Sequence, residues 1–422
     1  MSGEIQLTGT LARPALPALP TSQVVYLLLE AQTTAAVSHV QTPINVGFVL
    51  DHSGSMKGDK MRCVRDATQM ALSLMDAQDI VSVVIFDHRR EILIPAQPVT
   101  NAADLQREVG KIKDAGGTKI APALEAALGE VRKGMNGNTI SRLILLTDGQ
   151  TEGENDCLRV AEEIGRQRIP LTALGVGDDW NEDLLIEMAN RSGGVAEYFS
   201  NPSDISEFFQ GQVQQAQGAI VQNAALSLRL VQGVEPRAVW QVTPLIQNLG
   251  YKPITDRAVG VSLGDLSRGE RRLILVELLV DAKQPGQYRI GQAEINYDIP
   301  QLGLVSEKIK YDVMLHFVAD PAQATALVPQ VMNIVEKVSA HKLQTRALDD
   351  LAAGNIGAAT QKLQGAVTRL LNQGEVELAQ TMQTEIDNLQ EKGEMTSAGQ
   401  KTIKFGTRKT VRLSDLDMPP TE

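Results

Sequence analysis

Three short segments carry oxygen donors at places where a chain can aim them. Asp51-His52-Ser53-Gly54-Ser55-Met56 follows directly on the apolar run NVGFVL. Gly116-Gly117-Thr118 precedes a helical stretch, and Leu146-Thr147-Asp148-Gly149 ends the run RLILLT. Hard divalent cations want oxygen ligands in octahedral array. A turn after a strand can point Asp51, Ser53 and Ser55 at one place, and Gly54 lets the backbone turn tightly. Thr118 adds a hydroxyl and Asp148 a second carboxylate. Each segment alone fits an ordinary turn, with Asp51 as a helix N-cap. Together, in this order and at these ends of elements, they point to one metal site.

The positioning elements are legible as patterns. From Asn45 to about Ser200, apolar strand-length runs (NVGFVLD, DIVSVVIFD, EILIPAQPV, SRLILLTD, IPLTALGVG) alternate with amphipathic stretches. Met61, Val64, Ala67, Ala71, Leu72 and Met75 share a helical face. Such alternation predicts βαβ units, hence a doubly wound α/β domain with a mainly parallel sheet, whose ligands bind beyond the carboxyl ends of the strands. All three donor segments fall on that edge. After Gln210 the texture changes to period-2 segments separated by turn signals, predicting an antiparallel β-sandwich of about six strands. The earlier run QVVYLLLEAQTT lacks a helical partner and is expected to join it. The α/β domain is then an insertion in the sandwich. The expected order is an N-terminal segment (1–42), the α/β domain (43–210), the sandwich (211–319), C-terminal helices (320–392) and a flexible tail (393–422).

The DxSxS segment with its distant Thr and Asp resembles the von Willebrand factor A (VWA) family and its metal-ion-dependent adhesion site (MIDAS), over roughly residues 43 to 200. The matching positions are Asp51, Ser53, Ser55, Thr118 and Asp148, and none departs from the motif. Segments such as NVGFVLDHSGSM and SRLILLTDGQTEG also resemble a wider group, inter-α-trypsin inhibitor heavy-chain relatives and bacterial proteins labelled calcium-activated chloride channel homologues. The resemblance implies a Rossmann-like VWA fold in which Ser53, Ser55 and usually Thr118 ligate Mg²⁺ directly, with Mn²⁺ or Ca²⁺ as alternatives. Asp51 and Asp148 act directly or through water. Largely neutral ligands leave the cation positive and open to a Glu or Asp of a protein partner. The implied function is a non-enzymatic interaction module, an adaptor in a kinase, phosphatase or MoxR-type ATPase system. Self-association through the metal site is the alternative. A Mg²⁺-dependent hydrolase is the third reading, but a haloacid-dehalogenase-type phosphatase needs a second Asp where Ser53 stands, and no GxxxxGK[ST] loop is present.

The net charge of -11 leaves no basic excess for nonspecific nucleic-acid binding. No apolar run approaches the ~18–20 residues of a membrane span, so the channel label is not carried over. The first twenty residues lack a signal-peptide pattern, and a cytoplasmic location is expected. Cys63 and Cys157 read as reduced thiols on helices. His52 and His88 read as loop residues, and Asp87, near the site edge, either as a group supporting the metal ligands or as a solvated turn residue. In the tail, basic residues flank Thr402 and Thr410. These threonines are candidate phosphorylation sites for a Ser/Thr kinase, to be read by a forkhead-associated-type domain.

Overall fold

Strands β1 (Ile5–Leu11), β2 (Ala15–Pro17) and β3 (Gln23–Thr33) open the chain. A computed structural model describes residues 3–177, 180–255 and 257–411. Next come β4 (Ile44–Asp51), α1 (Asp59–Ser73), β5 (Ile80–Phe86), β6 (Arg90–Pro98), α2 (Ala102–Val109) and α3 (Ile120–Gly134). They lead into β7 (Ile140–Thr147), α4 (Glu154–Arg166), β8 (Leu171–Val176), α5 (Glu182–Ser192), β9 (Ala196–Phe199) and α6 (Ile205–Gly218). Strands return as β10 (Ala219–Leu230), β11 (Val234–Gln241), β12 (Gln247–Asn248), β13 (Lys252–Thr255), β14 (Ala258–Ser267), β15 (Arg271–Val280), β16 (Gly286–Ile299) and β17 (Leu304–Val318). Four helices follow: α7 (Pro329–Ala352), α8 (Ile356–Asn372), α9 (Val376–Lys392) and α10 (Ser397–Gly406). The chain divides into two units, one of residues His39–Gln222 with Ile299–Val305, the other of the remaining segments.

The first unit is the α/β domain. Its sheet runs β6-β5-β4-β7-β8-β9, parallel except for the antiparallel edge strand β6. All eight residues of β4 are buried, as a central strand covered on both faces requires. Asp51 pairs with Phe86 in β5, and Leu50 pairs with Leu146 in β7. That register sets Asp51 level with Thr147 at the carboxyl edge. Helix α1 buries Met61, Val64, Ala67, Ala71 and Leu72 along one stripe. The expected boundary at residue 210 falls inside α6. Ile205, Phe209, Val213 and Ala216 recur at helical spacing and are buried, and Phe209 stacks on Phe48 of β4 at 5.5 Å between centroids. The change of texture comes at Ala219. The short strand β9 was not anticipated.

The second unit contains the sandwich. One sheet runs β1-β3-β15-β11-β12 and the other β13-β14-β10-β16-β17-β2. As expected, β3 joins it, pairing with β15 from Gln23↔Val280 to Gln32↔Arg271. The strands exceed the expected six because short edges such as β2, β12 and β13 carry little pattern. The two sheets are tied by side chains: Arg272 donates to the carbonyls of Leu263 at 2.7 Å and Asp265 at 3.1 Å, and the Tyr311 hydroxyl donates to the carbonyl of Gly9 at 2.7 Å. Helices α7 to α10 bury Ala340, Leu363, Leu370, Met382, Ile386 and Ile403 in one cluster. No helix among the described residues is long and apolar enough to cross a membrane.

The flexible tail is a correction. Residues 397–409 are helical, and Thr396 caps α10 by accepting from the amide of Gly399 at 3.0 Å. Glu385 of α9 accepts from the Thr396 amide at 2.6 Å and from its hydroxyl at 2.7 Å. A side chain at Gly399 would displace that Glu385 carboxylate from its place against Thr396. Lys337 of α7 donates to the carbonyl of Thr410 at 2.6 Å, and Val411 packs with Trp240, Val242 and Ile246. Thr410 is 3% exposed and its hydroxyl donates to the carbonyl of Thr407, so no kinase reaches it in the folded state. Thr402 is exposed but sits on α10 with its hydroxyl bonded to the Ala398 carbonyl, not on a mobile segment. The rest of the expected tail, residues 412–422, lies outside the described residues.

His341 ties this end to α7. Its Nδ1 lies 2.9 Å from the Thr407 hydroxyl, which donates to Gln344 at 3.0 Å, and its ring meets Trp240 edge-on. Burial, with Arg408 adding to it, holds the imidazole down to about 3. A histidine depressed on folding contributes stability that is complete above its unfolded value and is lost as pH falls below about 6.5. Between pH 7 and pH 5 the second unit should therefore lose stability, by at most about 2 kcal/mol, the limit set by the interval between the unfolded value and pH 5. Denaturant melts of wild type and His341→Gln check this. The variant should lose most of the slope, and an equal slope in both would refute it.

Candidate metal centre

The five sequence-selected residues reach one edge of the parallel sheet. Asp51 ends β4 and is fully buried, Ser53 and Asp148 are 2% and 1% exposed, Thr118 is half-buried, and Ser55 is exposed. Four form one hydrogen-bonded chain. The Ser53 amide donates to Asp51 Oδ1 at 2.8 Å, and the Ser53 and Ser55 hydroxyls are 3.0 Å apart. The Ser55 hydroxyl donates to Asp148 Oδ1 at 2.6 Å, which leaves Ser53 as the donor to Ser55. Thr118 stands beside this chain: its hydroxyl would be 3.1 Å from a β-carbon placed at Gly149.

The loops are held by backbone bonds. The Gly54 amide donates to the Gly116 carbonyl at 3.0 Å, and Ala115 donates to His52 at 2.7 Å. Gly116 has φ +68, a conformation that favours glycine, and a side chain there would collide with Asp87 and His88. Of the two readings of Asp87, the solvated turn residue is the one the structure does not bear out. Asp87 is buried, and its Oδ1 accepts from the Arg89 amide at 2.5 Å. The Thr151 hydroxyl accepts from the Ile120 amide at 3.1 Å, tying the loop after β7 to the start of α3.

Two further residues were missed from sequence. Thr147 donates its hydroxyl to Asp51 Oδ2 at 2.6 Å, a role implied by the β4–β7 register but invisible without it. Lys60, in the first turn of α1, places Nζ 2.5 Å from Asp148 Oδ2. Only its position nine residues after Asp51 could have hinted at this. Burial pushes the Asp51 carboxyl above its ordinary range, and the Asp148 charge adds to this. Hydrogen bonds from Thr147 and Ser53 oppose the rise.

Two carboxylates and three hydroxyls suit a hard cation. Among the described residues no three His, Cys, Asp or Glu side chains gather as a metal-holding group, so this mixed oxygen set is the candidate. Cys63 and Cys157 are both free, and burial pushes the Cys157 thiol up to about 11. Neither joins the site.

The model of the von Willebrand factor type A domain matches residues 45–215, and that of the Sll0103-like C-terminal alpha-helical domain matches residues 329–413. The uncharacterized protein sll0103 of Synechocystis sp. is 30% identical over 379 residues, 88% of this chain and 89% of that protein. Inter-alpha-trypsin inhibitor heavy chain H2 of Mus musculus is 33% identical over 177 residues, 39% of this chain but 19% of that protein. Among solved structures, a von Willebrand factor type A protein from Catenulispora acidiphila superposes with a TM-score of 0.79 at 20% identity, covering 96% of this chain and 97% of that one. The ArnB paralog VWA2 from Sulfolobus acidocaldarius superposes at 0.59 with 17% identity, covering 97% and 99%. Both share the fold. With its α/β domain, its sandwich and its C-terminal helices matched nearly end to end, the chain belongs to the Sll0103-like proteins of the von Willebrand factor type A domain family.

Proposed function

We propose that Asp51, Ser53, Ser55, Thr118 and Asp148 hold one divalent cation, Mg²⁺ by preference, and that the protein uses it to bind an acidic side chain of a protein partner. The observation that carries this reading is the bonded chain Asp51–Ser53–Ser55–Asp148, which gathers hard oxygen donors at the carboxyl edge of a parallel sheet. When bound, the cation supplies a positive, partly open coordination position that a carboxylate fills. VWA domains typically mediate such metal-dependent protein interactions. The residues' own part is to fix the donors before binding: Thr147 orients Asp51, and the backbone bonds at Gly54 and Gly116 fix the serine loop. We assign no catalytic residue. A place as adaptor beside a kinase, phosphatase or MoxR-type ATPase is part of this proposal and rests on family association.

Lys60 answers the same carboxylate as the cation would. Its ammonium neutralises Asp148, whose side chain is fully buried, while Lys60 itself is 27% exposed. Lys60 thereby acts as an internal competitor.

Mg²⁺ at a hundredfold its dissociation constant should stabilise the α/β unit by about 2.7 kcal/mol, a rise in melting temperature of roughly 5–10 °C. Ser53→Ala/Ser55→Ala should abolish the rise. An equal rise in that variant would place the cation elsewhere. Lys60→Met should melt lower in EDTA and reach half-saturation at about tenfold less Mg²⁺. An unchanged midpoint would show that Lys60 does not compete. Solution mass with Mg²⁺ and with EDTA separates partner binding from self-association: a monomer in both supports the first, and an oligomer lost in EDTA supports the second.

A further inference from the structure

The loops beside the candidate centre form a basic ledge in a chain whose net charge is -11. Three segments meet there. His52 Nδ1 lies 2.8 Å from the Lys113 carbonyl, the Gly54 amide donates to the Gly116 carbonyl, and the Lys119 amide donates to the Asp87 carbonyl at 2.8 Å. These bonds set the 52–57 loop, the 113–119 loop and the 87–89 turn side by side, with Ser53 and Ser55 among them. The outward side chains are Lys57, His88, Arg89 and Lys113, all exposed. Asp114 is the exposed acidic residue in the same loops, while the Asp87 carboxylate is turned inward.

His88 lies 3.3 Å from the Asp87 carboxylate, but the other three cations lack partners. Among the described residues Lys57, Arg89 and Lys113 make no ion pair. Elsewhere on the same unit many exposed arginines are matched, among them Arg62 with Asp59, Arg132 with Glu163, Arg159 with Glu125 and Arg191 with Glu187, while Arg90 and Arg168 are exposed without an ion pair among the described residues. Unmatched like charges gathered on one ledge repel each other and gain from an incoming polyanion.

We propose that this ledge is the second half of the partner interface, and that the partner segment is acidic beyond the single carboxylate given to the cation. Glu or Asp residues flanking that carboxylate seat against Lys57, Arg89 and Lys113. The inference rests on the metal-binding reading above. It selects a protein segment over a nucleic acid, because the cation's open position is given to a Glu or Asp side chain and the flanking acids belong to the same segment.

The test uses the full chain and two short synthetic peptides, each with a central Glu, flanked in one by Glu and in the other by Gln. Binding is followed by fluorescence anisotropy in Mg²⁺ and in EDTA. Two or three exposed charge pairs together amount to about tenfold. The Glu-flanked peptide should bind wild type about tenfold more tightly than the Gln-flanked one in Mg²⁺, with the preference shrinking at high salt. Arg89→Glu/Lys113→Glu should remove the preference while leaving the Mg²⁺ melting shift intact. Persistence of the preference in that variant would overturn the ledge and leave the metal reading standing. So would failure of wild type to bind either peptide while Mg²⁺ still raises its melting temperature. Binding of the peptides that is equal in Mg²⁺ and EDTA would instead strike at the metal reading itself. A single-stranded oligonucleotide that displaces the peptide through Arg89 and Lys113 would overturn the choice of an acidic protein segment.

Discussion

The burial of two carboxylates at one sheet edge is the constraint on which the rest of the site depends. Asp51 and Asp148 are both removed from water, and burial pushes the Asp51 carboxyl up, with the Asp148 charge adding to it. Such a pair is costly unless each oxygen is answered. Here every neighbour answers. Thr147 and the Ser53 amide take the two oxygens of Asp51, while Ser55 and Lys60 take those of Asp148. A divalent cation between the same groups would answer both carboxylates at once, and so the fold and the proposed ligand solve one electrostatic problem.

That problem explains the local architecture. The register of β4 against β7 places Thr147 level with Asp51, so the orienting hydroxyl comes from the backbone geometry of the sheet. The serine loop cannot wander, because Gly54 is tied to Gly116, and Gly116 can be nothing larger without striking Asp87 and His88. Neutral hydroxyls dominate the donor set. A cation held by them keeps charge to spend on a partner, which distinguishes the site from one built of carboxylates alone.

The sequence was most legible where burial forces a pattern. NVGFVL and RLILLT are central strands covered on both faces, and their apolar runs announce the doubly wound sheet. Asp51, Ser53, Ser55 and Asp148 were legible because they follow such runs, and Thr118 because its glycine pair precedes a helix. Thr147 and Lys60 were not, since their roles exist only after strands and helix are placed in three dimensions. The same limit hid α6, whose buried Ile205, Phe209, Val213 and Ala216 are separated by glutamines that read as surface. It hid α10 more thoroughly. Lys401 is 2% exposed and Lys337 is 3% exposed, yet any hydropathy reading counts a lysine as solvated. Their stems pack while the ammonium of Lys337 meets a carbonyl, so a basic stretch became part of a core.

The most direct measurement is affinity capture of partners from host lysate by the intact chain, in Mg²⁺ and in EDTA, with Ser53→Ala/Ser55→Ala as the comparison. The account predicts a protein retained by intact chain in Mg²⁺ and lost both in EDTA and in the variant. Equal recovery in all three conditions would contradict it, and would assign recognition to the sandwich or the helices while the carboxylate–hydroxyl cluster serves the fold alone.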